Sequence, residues 1–78
     1  MAVADKVKAL LNIKGKKIYE LAEYLDISPQ AMRNKLNRDS FSSNDLIKVA
    51  DFLDCNLAFI INENQKINLE KSDLKNSE

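Results

Sequence analysis

Four polar side chains between residues 28 and 38 have the chemistry needed to read the edges of nucleic-acid bases. A helix turns by about 100° per residue, so a helix here would gather them on one side: Gln30, Arg33, Asn34 and Asn37. An amide offers a donor and an acceptor that match adenine, and a guanidinium matches the two acceptors of guanine. The segment holds three basic residues and no acidic residue. This pattern favours base readout over the alternative of an ordinary solvated helix face.

Basic and capping residues beside this face are candidates for contacts with phosphates. Lys35 and Arg38 lie on its flank, where the DNA backbone would run. Ser28 would cap the N-terminus of the helix, whose partial positive charge attracts anions. Lys16 and Lys17 precede the helix before it, and either neutralising a phosphate or keeping a loop soluble would explain them. The segment and its surroundings therefore predict a DNA-binding surface with a basic margin.

Apolar spacing predicts the helices that hold these residues in place. A first helix ends near residues 12–14 at Gly15, and its apolar face has helical spacing: Val3, Val7, Leu10 and Leu11. A second helix is predicted from about residue 17 to residue 25, with one apolar stripe: Ile18, Leu21, Ala22 and Leu25. A tight turn at Asp26 and Ile27 separates it from a third helix, which begins at Ser28 and Pro29.

Apolar spacing and capping residues also predict the third and fourth helices. Met32 and Leu36 are the inward pair of the third helix. Ser42 and Asp45 resemble a capping box at the start of the fourth helix. The apolar stripe of the fourth helix is formed by Leu46, Val49, Ala50 and Leu53, with Ile47 and Phe52 at its margins.

The chain changes period after residue 56 and predicts a β-hairpin. Residues 57–61 are a continuous apolar run, residues 62–65 are typical of a turn, and residues 66–70 alternate as a half-buried strand does. An isolated hairpin is only marginally stable, so the apolar strand needs cover. Either the hairpin closes the core of its own protomer, or it pairs with the hairpin of a second copy. The second arrangement predicts a homodimer held by six apolar residues: Leu57, Phe59, Ile60, Ile61, Ile67 and Leu69.

The composition argues against most enzymatic and metal-binding roles. The 78 residues fit one domain and include no histidine, one glycine and one cysteine, Cys55. Most nucleophile–base pairs and transition-metal sites are therefore missing, and we expect no catalysis, metal, cofactor or small-molecule substrate. No apolar run is long enough to cross a membrane, and the N-terminus lacks the layout of a signal peptide, so we expect a cytoplasmic protein.

The net charge is zero, but it is unevenly distributed along the chain. Residues 1–50 carry nine Lys/Arg and six Asp/Glu, a net charge of +3, whereas residues 51–78 carry three and six, a net charge of −3. A positive N-terminal part is compatible with DNA as a partner, although its non-specific affinity should be modest.

Residues 19–28 and the helix after them resemble the lambda repressor-like (Cro-type, XRE-like) helix-turn-helix family. The matching residues read Tyr-Glu-Leu-Ala-Glu-Tyr-Leu-Asp-Ile-Ser, and the resemblance extends through residues 37–42 and 46–53. It implies a mainly α fold, in which a four-helix lambda repressor-like DNA-binding domain precedes the C-terminal β-hairpin. It also implies a backbone contact near Ser40. Asp26, Ile18 and Lys35 depart from the family, which often has a glycine, a glutamine and an apolar residue at these positions.

These observations divide the chain into a helix-turn-helix domain (residues 1–56), a hairpin for dimerisation (57–71) and a flexible tail (72–78). The leading interpretation is a transcriptional regulator that binds double-stranded DNA sequence-specifically as a homodimer and represses by excluding polymerase. The alternative is a protein-interaction module, such as an antitoxin or adaptor, whose helix-turn-helix no longer binds DNA. The zero net charge, Ile18 and Lys35 favour this alternative.

Overall fold

The computed structural model describes residues 2–74, which form four helices followed by a two-stranded hairpin. The helices are α1 (Val3–Lys14), α2 (Ile18–Leu25), α3 (Pro29–Arg38) and α4 (Ser43–Phe52). The strands are β1 (Leu57–Asn62) and β2 (Gln65–Leu69), and a short 3-10 helix (Lys71–Asp73) follows them. The predicted mainly α fold with a C-terminal hairpin is confirmed.

Side-chain caps begin α3 and α4 where the sequence predicts them. Ser28 Oγ accepts a hydrogen bond of 3.0 Å from the backbone N–H of Ala31, and Pro29 occupies the first turn of α3. At α4, Ser42 Oγ accepts from the Asp45 N–H at 3.0 Å, and Asp45 Oδ2 accepts from the Ser42 N–H at 3.1 Å. The predicted capping box is therefore confirmed.

Residues in the left-handed conformation follow each helix and reverse the chain. Gly15 after α1 has a φ of 68°, and Asp26 between α2 and α3 has a φ of 61°. Asp39 after α3 and Asp54 after α4 adopt the same conformation, with φ values of 55° and 53°. Glycine adopts it without strain, and aspartate tolerates it better than most residues because its short side chain can hydrogen-bond locally. These four positions therefore set the sharp turns after the helices.

The core lies where the four helices meet. It consists of small and aliphatic residues: Ala4, Val7, Leu11, Leu21, Ala22, Met32, Leu36, Val49 and Leu53. Ala22 of α2 and Met32 of α3 are fully buried, so the two helices of the helix-turn-helix pack closely. Met32 and Leu36 are buried as the predicted inward pair, and this pair fixes which face of α3 points outward.

One sequence-based assignment in α4 is wrong. Ile47, predicted at the margin of the apolar stripe, is buried, whereas Leu46, predicted within the stripe, is half-buried. The cause is a second packing surface, because the base of the hairpin also lies against α4. Ile47 lines the cleft there together with Leu57 and Leu69.

A hydrogen bond between distant residues ties the end of α3 to the start of α1. The backbone N–H of Ala4 donates to Asp39 Oδ1 at 2.7 Å, across 35 positions of sequence. α1 has no side-chain cap of its own, since Ala2 stands at its N-cap. The Asp39 carboxylate therefore satisfies one of the otherwise unpaired N–H groups at this helix end, where a negative charge is also favourable.

The hairpin is covered at its base and exposed beyond it. β1 and β2 pair antiparallel, with Phe59 opposite Ile67 and Ile60 opposite Lys66. Leu57 and Leu69, which pair at the base, are half-buried. Four large apolar side chains farther out are exposed: Phe59 by 67%, Ile60 by 76%, Ile61 by 59% and Ile67 by 59%. Only the base of the hairpin therefore helps to close the core of its own protomer, and the part beyond the base does not.

Asp51 of α4 links α2 to the segment after the hairpin. The Tyr24 hydroxyl donates a hydrogen bond to Asp51 Oδ2, and Lys71 Nζ lies 3.7 Å from Asp51 Oδ1. Ser72 and Asp73, at the start of the tail predicted over residues 72–78, belong to the 3-10 helix, which contacts α4. Residues 75–78 lie outside the described residues.

Candidate nucleic-acid interface

The four predicted base-reading residues share one exposed face of α3. Burial of Met32 and Leu36 turns the opposite side of the helix outward, and this side carries four exposed polar residues: Gln30, Arg33, Asn34 and Asn37. Gln30 Nε2 donates a hydrogen bond of 3.2 Å to Asn34 Oδ1. An amide side chain has two donors and an acceptor oxygen with two lone pairs, so both residues retain a donor and an acceptor for a base edge.

Three of the predicted phosphate-binding residues lie at the margins of this face. Ser28 lies at the N-terminal end of α3, Arg38 at its C-terminal end, and Ser40 in the loop to α4, and all three are exposed. The backbone N–H of Ser40 already donates to the carbonyl of Lys35 at 3.0 Å. For the phosphate contact predicted at Ser40, the hydroxyl is therefore the available donor rather than the backbone amide.

A cleft with basic walls opens where α1, α2 and α3 approach one another. Its lining includes four cationic side chains, which we call the basic cleft: Lys8, Lys16, Lys17 and Arg33. Lys16 also lies over the Phe52 ring, with its Nζ 5.7 Å from the ring centroid. At the N-terminus of α2, the Lys17 backbone N–H donates to Glu20 Oε1 at 2.8 Å. The Lys17 ammonium takes no part in this helix cap. The structure thus brings the two predicted loop lysines close to Arg33, a predicted base reader.

Sequence reasoning did not assign Lys8 or Tyr19 to this surface. Lys8 projects from α1 into the basic cleft, and Tyr19 lines the same cleft with 61% of its surface exposed. Lys8 lies three residues before the buried Leu11, which places it beside the core-facing stripe. The spacing alone gives no indication of which neighbouring helix lies there.

Lys35, predicted as a phosphate contact on the flank of this face, forms an ion pair with Asp45. Its Nζ is 2.9 Å from Asp45 Oδ2, with 30% of the Lys35 side chain and 19% of the Asp45 side chain exposed. Partial burial raises the pKa of Asp45, but hydrogen bonds from Lys35 and Ser42 outweigh burial and hold that pKa below its ordinary value. Lys35 therefore faces the N-terminus of α4 as part of an ion pair, because the first turn of α4 lies beside this flank of α3.

Across residues 2–74, no helix has the length and apolar character needed to span a bilayer. Within the same range, no group of three side chains of the metal-ligating types comes together.

Comparison with known families agrees with this geometry. The family described as the bacteriophage CI repressor helix-turn-helix domain matches residues 2–67. No curated protein and no solved structure matches the chain significantly. The family match covers all four helices and most of the hairpin, and it includes the turn between α2 and α3. The chain belongs to the bacteriophage CI repressor helix-turn-helix family and is a lambda repressor-like, DNA-binding domain of a transcription regulator.

Proposed function

We propose that this protein is a sequence-specific transcriptional repressor that binds duplex DNA as a homodimer in the cytoplasm. The observation that carries the proposal is the exposed face of α3, where the Gln30 and Asn34 amides are joined by a hydrogen bond and flanked by Arg33 and Asn37. A major groove admits one α-helix, and amide and guanidinium groups are the side chains best suited to adenine and guanine there. Repression would be steric, since a protein on an operator excludes polymerase.

The phosphate contacts proposed for this complex lie on both sides of α3. The basic cleft provides Lys16 and Lys17 at one side, and Arg38 with Ser40 provides the other. The N-terminus of α3, capped by Ser28, adds a partial positive charge. Such contacts position the helix without reading sequence, and they make the affinity fall steeply with salt.

A homodimer is supported by the exposed part of the hairpin. β1 contains no charged residue, whereas β2 carries Lys66 as its second residue. Charges on an edge strand prevent the addition of further strands, so the unpaired edge of β1 is the unprotected one. A second copy of the chain offers the same edge, and two such edges pair antiparallel about a two-fold axis.

The dimensions are compatible with this arrangement. Covering the exposed apolar side chains of the hairpin would remove roughly 400–500 Å² from solvent on each protomer, about 800–1,000 Å² in total, which is the size range of weak, reversible association. The described protomer measures 40 × 33 × 21 Å. Half-sites one helical turn apart are about 34–36 Å from centre to centre, so two protomers fit side by side on one face of the duplex.

Selection from a pool of random duplexes, followed by sequencing, tests the proposed function. We expect an enriched palindrome with adenine or guanine at the positions that α3 reads. Gln30→Ala and Asn34→Ala should relax the preference at one or two positions of each half-site. Arg38→Ala, at the margin, is the matched control and should weaken binding to every sequence alike.

Two results would contradict the proposal in different ways. An unenriched pool would favour the alternative of a protein-interaction module, such as an antitoxin or adaptor. An enriched palindrome whose bases are unaffected by Gln30→Ala and Asn34→Ala would leave DNA binding intact but refute the assignment of the base readers.

A further inference from the structure

The ion pair between Lys35 and Asp45 joins the flank of α3 to the first turn of α4. Asp45 Oδ2 accepts from Lys35 Nζ at 2.9 Å and from the Ser42 backbone N–H at 3.1 Å. The Asp45 backbone N–H in turn donates to Ser42 Oγ at 3.0 Å. The capping box therefore holds the carboxylate in place whether or not Lys35 is present.

This ion pair lies at the margin that the proposed function assigns to the DNA backbone. Arg38 is one helical turn from Lys35 on the same flank, and Ser40 and Ser42 follow in the loop that leads into α4. Both members of the pair keep part of their side chains in contact with solvent. A phosphate that approached Lys35 would meet the fixed carboxylate of Asp45 beside it.

We infer that Asp45 holds Lys35 back from DNA, acting as an intramolecular anion that competes with phosphate and limits sequence-independent affinity. The inference rests on the proposed function, because it concerns the same DNA-binding surface. A lysine contributes to non-specific affinity by releasing counterions from the phosphates that it neutralises. Lys35, neutralised by Asp45, releases none. The amides and the guanidinium on the exposed face of α3 thus remain available to bases, whereas Lys35 does not bind the DNA backbone.

The salt dependence of binding to a labelled duplex of arbitrary mixed sequence, measured by fluorescence anisotropy, tests this inference. Asp45→Asn removes the charge but keeps an oxygen that can accept from the Ser42 N–H. It should steepen the slope of log K against log salt by about 0.9 for each bound protomer and should tighten binding at low salt. Adding Lys35→Met to Asp45→Asn should return the slope to that of the wild type.

Two matched controls separate the proposed competition from a general change of charge. Asp54→Asn removes one negative charge beyond the other end of α4, where a φ of 53° also suits asparagine, and it should leave the slope unchanged. Within the wild-type background, Lys35→Met should also leave the slope unchanged, whereas Arg38→Met should make it shallower by about 0.9. This last comparison does not require any substitution of the α4 cap.

The possible results are distinct. A wild-type slope for Asp45→Asn, an equal change in Asp54→Asn, or a slope for Lys35→Met as shallow as that of Arg38→Met would each overturn the inference. Binding by the wild type combined with any of these results would leave the proposed function standing. Absence of duplex binding by every variant and by the wild type at low salt would overturn both.

Discussion

At the scale of single residues, the hydrogen bond between Gln30 and Asn34 organises the exposed face of α3 before any ligand arrives. The two residues lie one turn apart, and their amides meet at 3.2 Å. Holding both side chains in one arrangement reduces the rotamer entropy that they would lose on binding. They are therefore expected to act as a pair, so that the effect of Gln30→Ala on base preference should depend on whether Asn34 is present.

Arg33 belongs both to the proposed base-reading face of α3 and to the lining of the basic cleft. Arg33→Lys keeps the charge but loses the planar fork that fits the two acceptors of guanine. We expect a loss of about 1–3 kcal/mol in discrimination at one base pair with little change in salt dependence. Competition between duplexes that differ at that base measures it; an unchanged preference would assign Arg33 to phosphate instead.

Asp39 should contribute to stability through two effects. Asp39→Ala removes the hydrogen bond to the Ala4 N–H and places alanine at a φ of 55°. Loss of a cap costs about 1 kcal/mol and left-handed alanine costs roughly 1 kcal/mol more, so urea unfolding should show a loss of about 2 kcal/mol in total.

Asp39→Asn is the control for that substitution. Asparagine tolerates the same backbone and keeps an acceptor oxygen, so it should lose no more than about 1 kcal/mol. Equal losses for alanine and asparagine would show that the charge, rather than the hydrogen bond and the backbone, is what matters at this position.

At the scale of elements, the stability that the contact between α2 and α4 contributes should decrease at alkaline pH. The hydrogen bond from Tyr24 to Asp51 is the largest of the effects that raise the pKa of Tyr24, followed by its partial burial and the charge of Asp51. A raised pKa in the folded state stabilises the protonated, folded form. The contribution is complete below the ordinary pKa of 10.0 and is lost as the pH rises through the higher folded pKa.

Tyr24→Phe tests this dependence. The variant should be less stable than the wild type at neutral pH, and the difference in unfolding free energy should shrink above about pH 10. Tyr19→Phe, at an exposed position of the same helix, controls for the loss of a hydroxyl group. A difference between Tyr24→Phe and the wild type that stays constant with pH would contradict the proposed coupling.

The elements themselves could be predicted from sequence because local signals define them. Ser28 and Ser42 cap the helices that they precede, Gly15 and Asp26 end the helices that they follow, and the change of period after residue 56 marks the hairpin. The outward face of α3 was also predictable, since Met32 and Leu36 have the spacing that determines which side is buried.

What the sequence did not predict depends on contacts between elements. The hydrogen bond from Ala4 to Asp39 spans 35 positions, and nothing local indicates it. The pairing of Lys35 with Asp45 requires knowing that the flank of α3 faces the start of α4. Ile47 is buried because the hairpin base returns to α4. In each case the deciding information is which elements are neighbours, and helical periodicity does not contain it.

At the scale of the whole molecule, substitutions in the exposed part of the hairpin test the proposed self-association. Phe59→Ser should shift the protein toward the 8.9 kDa protomer in sedimentation equilibrium, because it removes a large apolar side chain from the proposed interface. The wild type should show a mass that rises with concentration toward twice this value. The variant should also lose cooperative binding to a palindromic operator while still binding a half-site.

Ile13→Ser provides the matched control for the hairpin variant. Ile13 is 75% exposed on α1, outside the hairpin, so its replacement should leave association unchanged. A wild type that remains at the protomer mass over the whole concentration range would exclude the proposed dimer. An equal effect of Ile13→Ser and Phe59→Ser would mean that association is non-specific.

The aspartate between α2 and α3 has a consequence for how the domain meets DNA. Asp26 adopts a φ of 61°, where a glycine would be unstrained but would leave the unfolded chain and the turn more conformational freedom. A stiffer joint fixes the angle between the two helices in the unbound protein. Little backbone entropy then remains to be lost if α3 enters a groove. The modest backbone strain at Asp26 would thus be balanced by a recognition helix that is preorganised for binding.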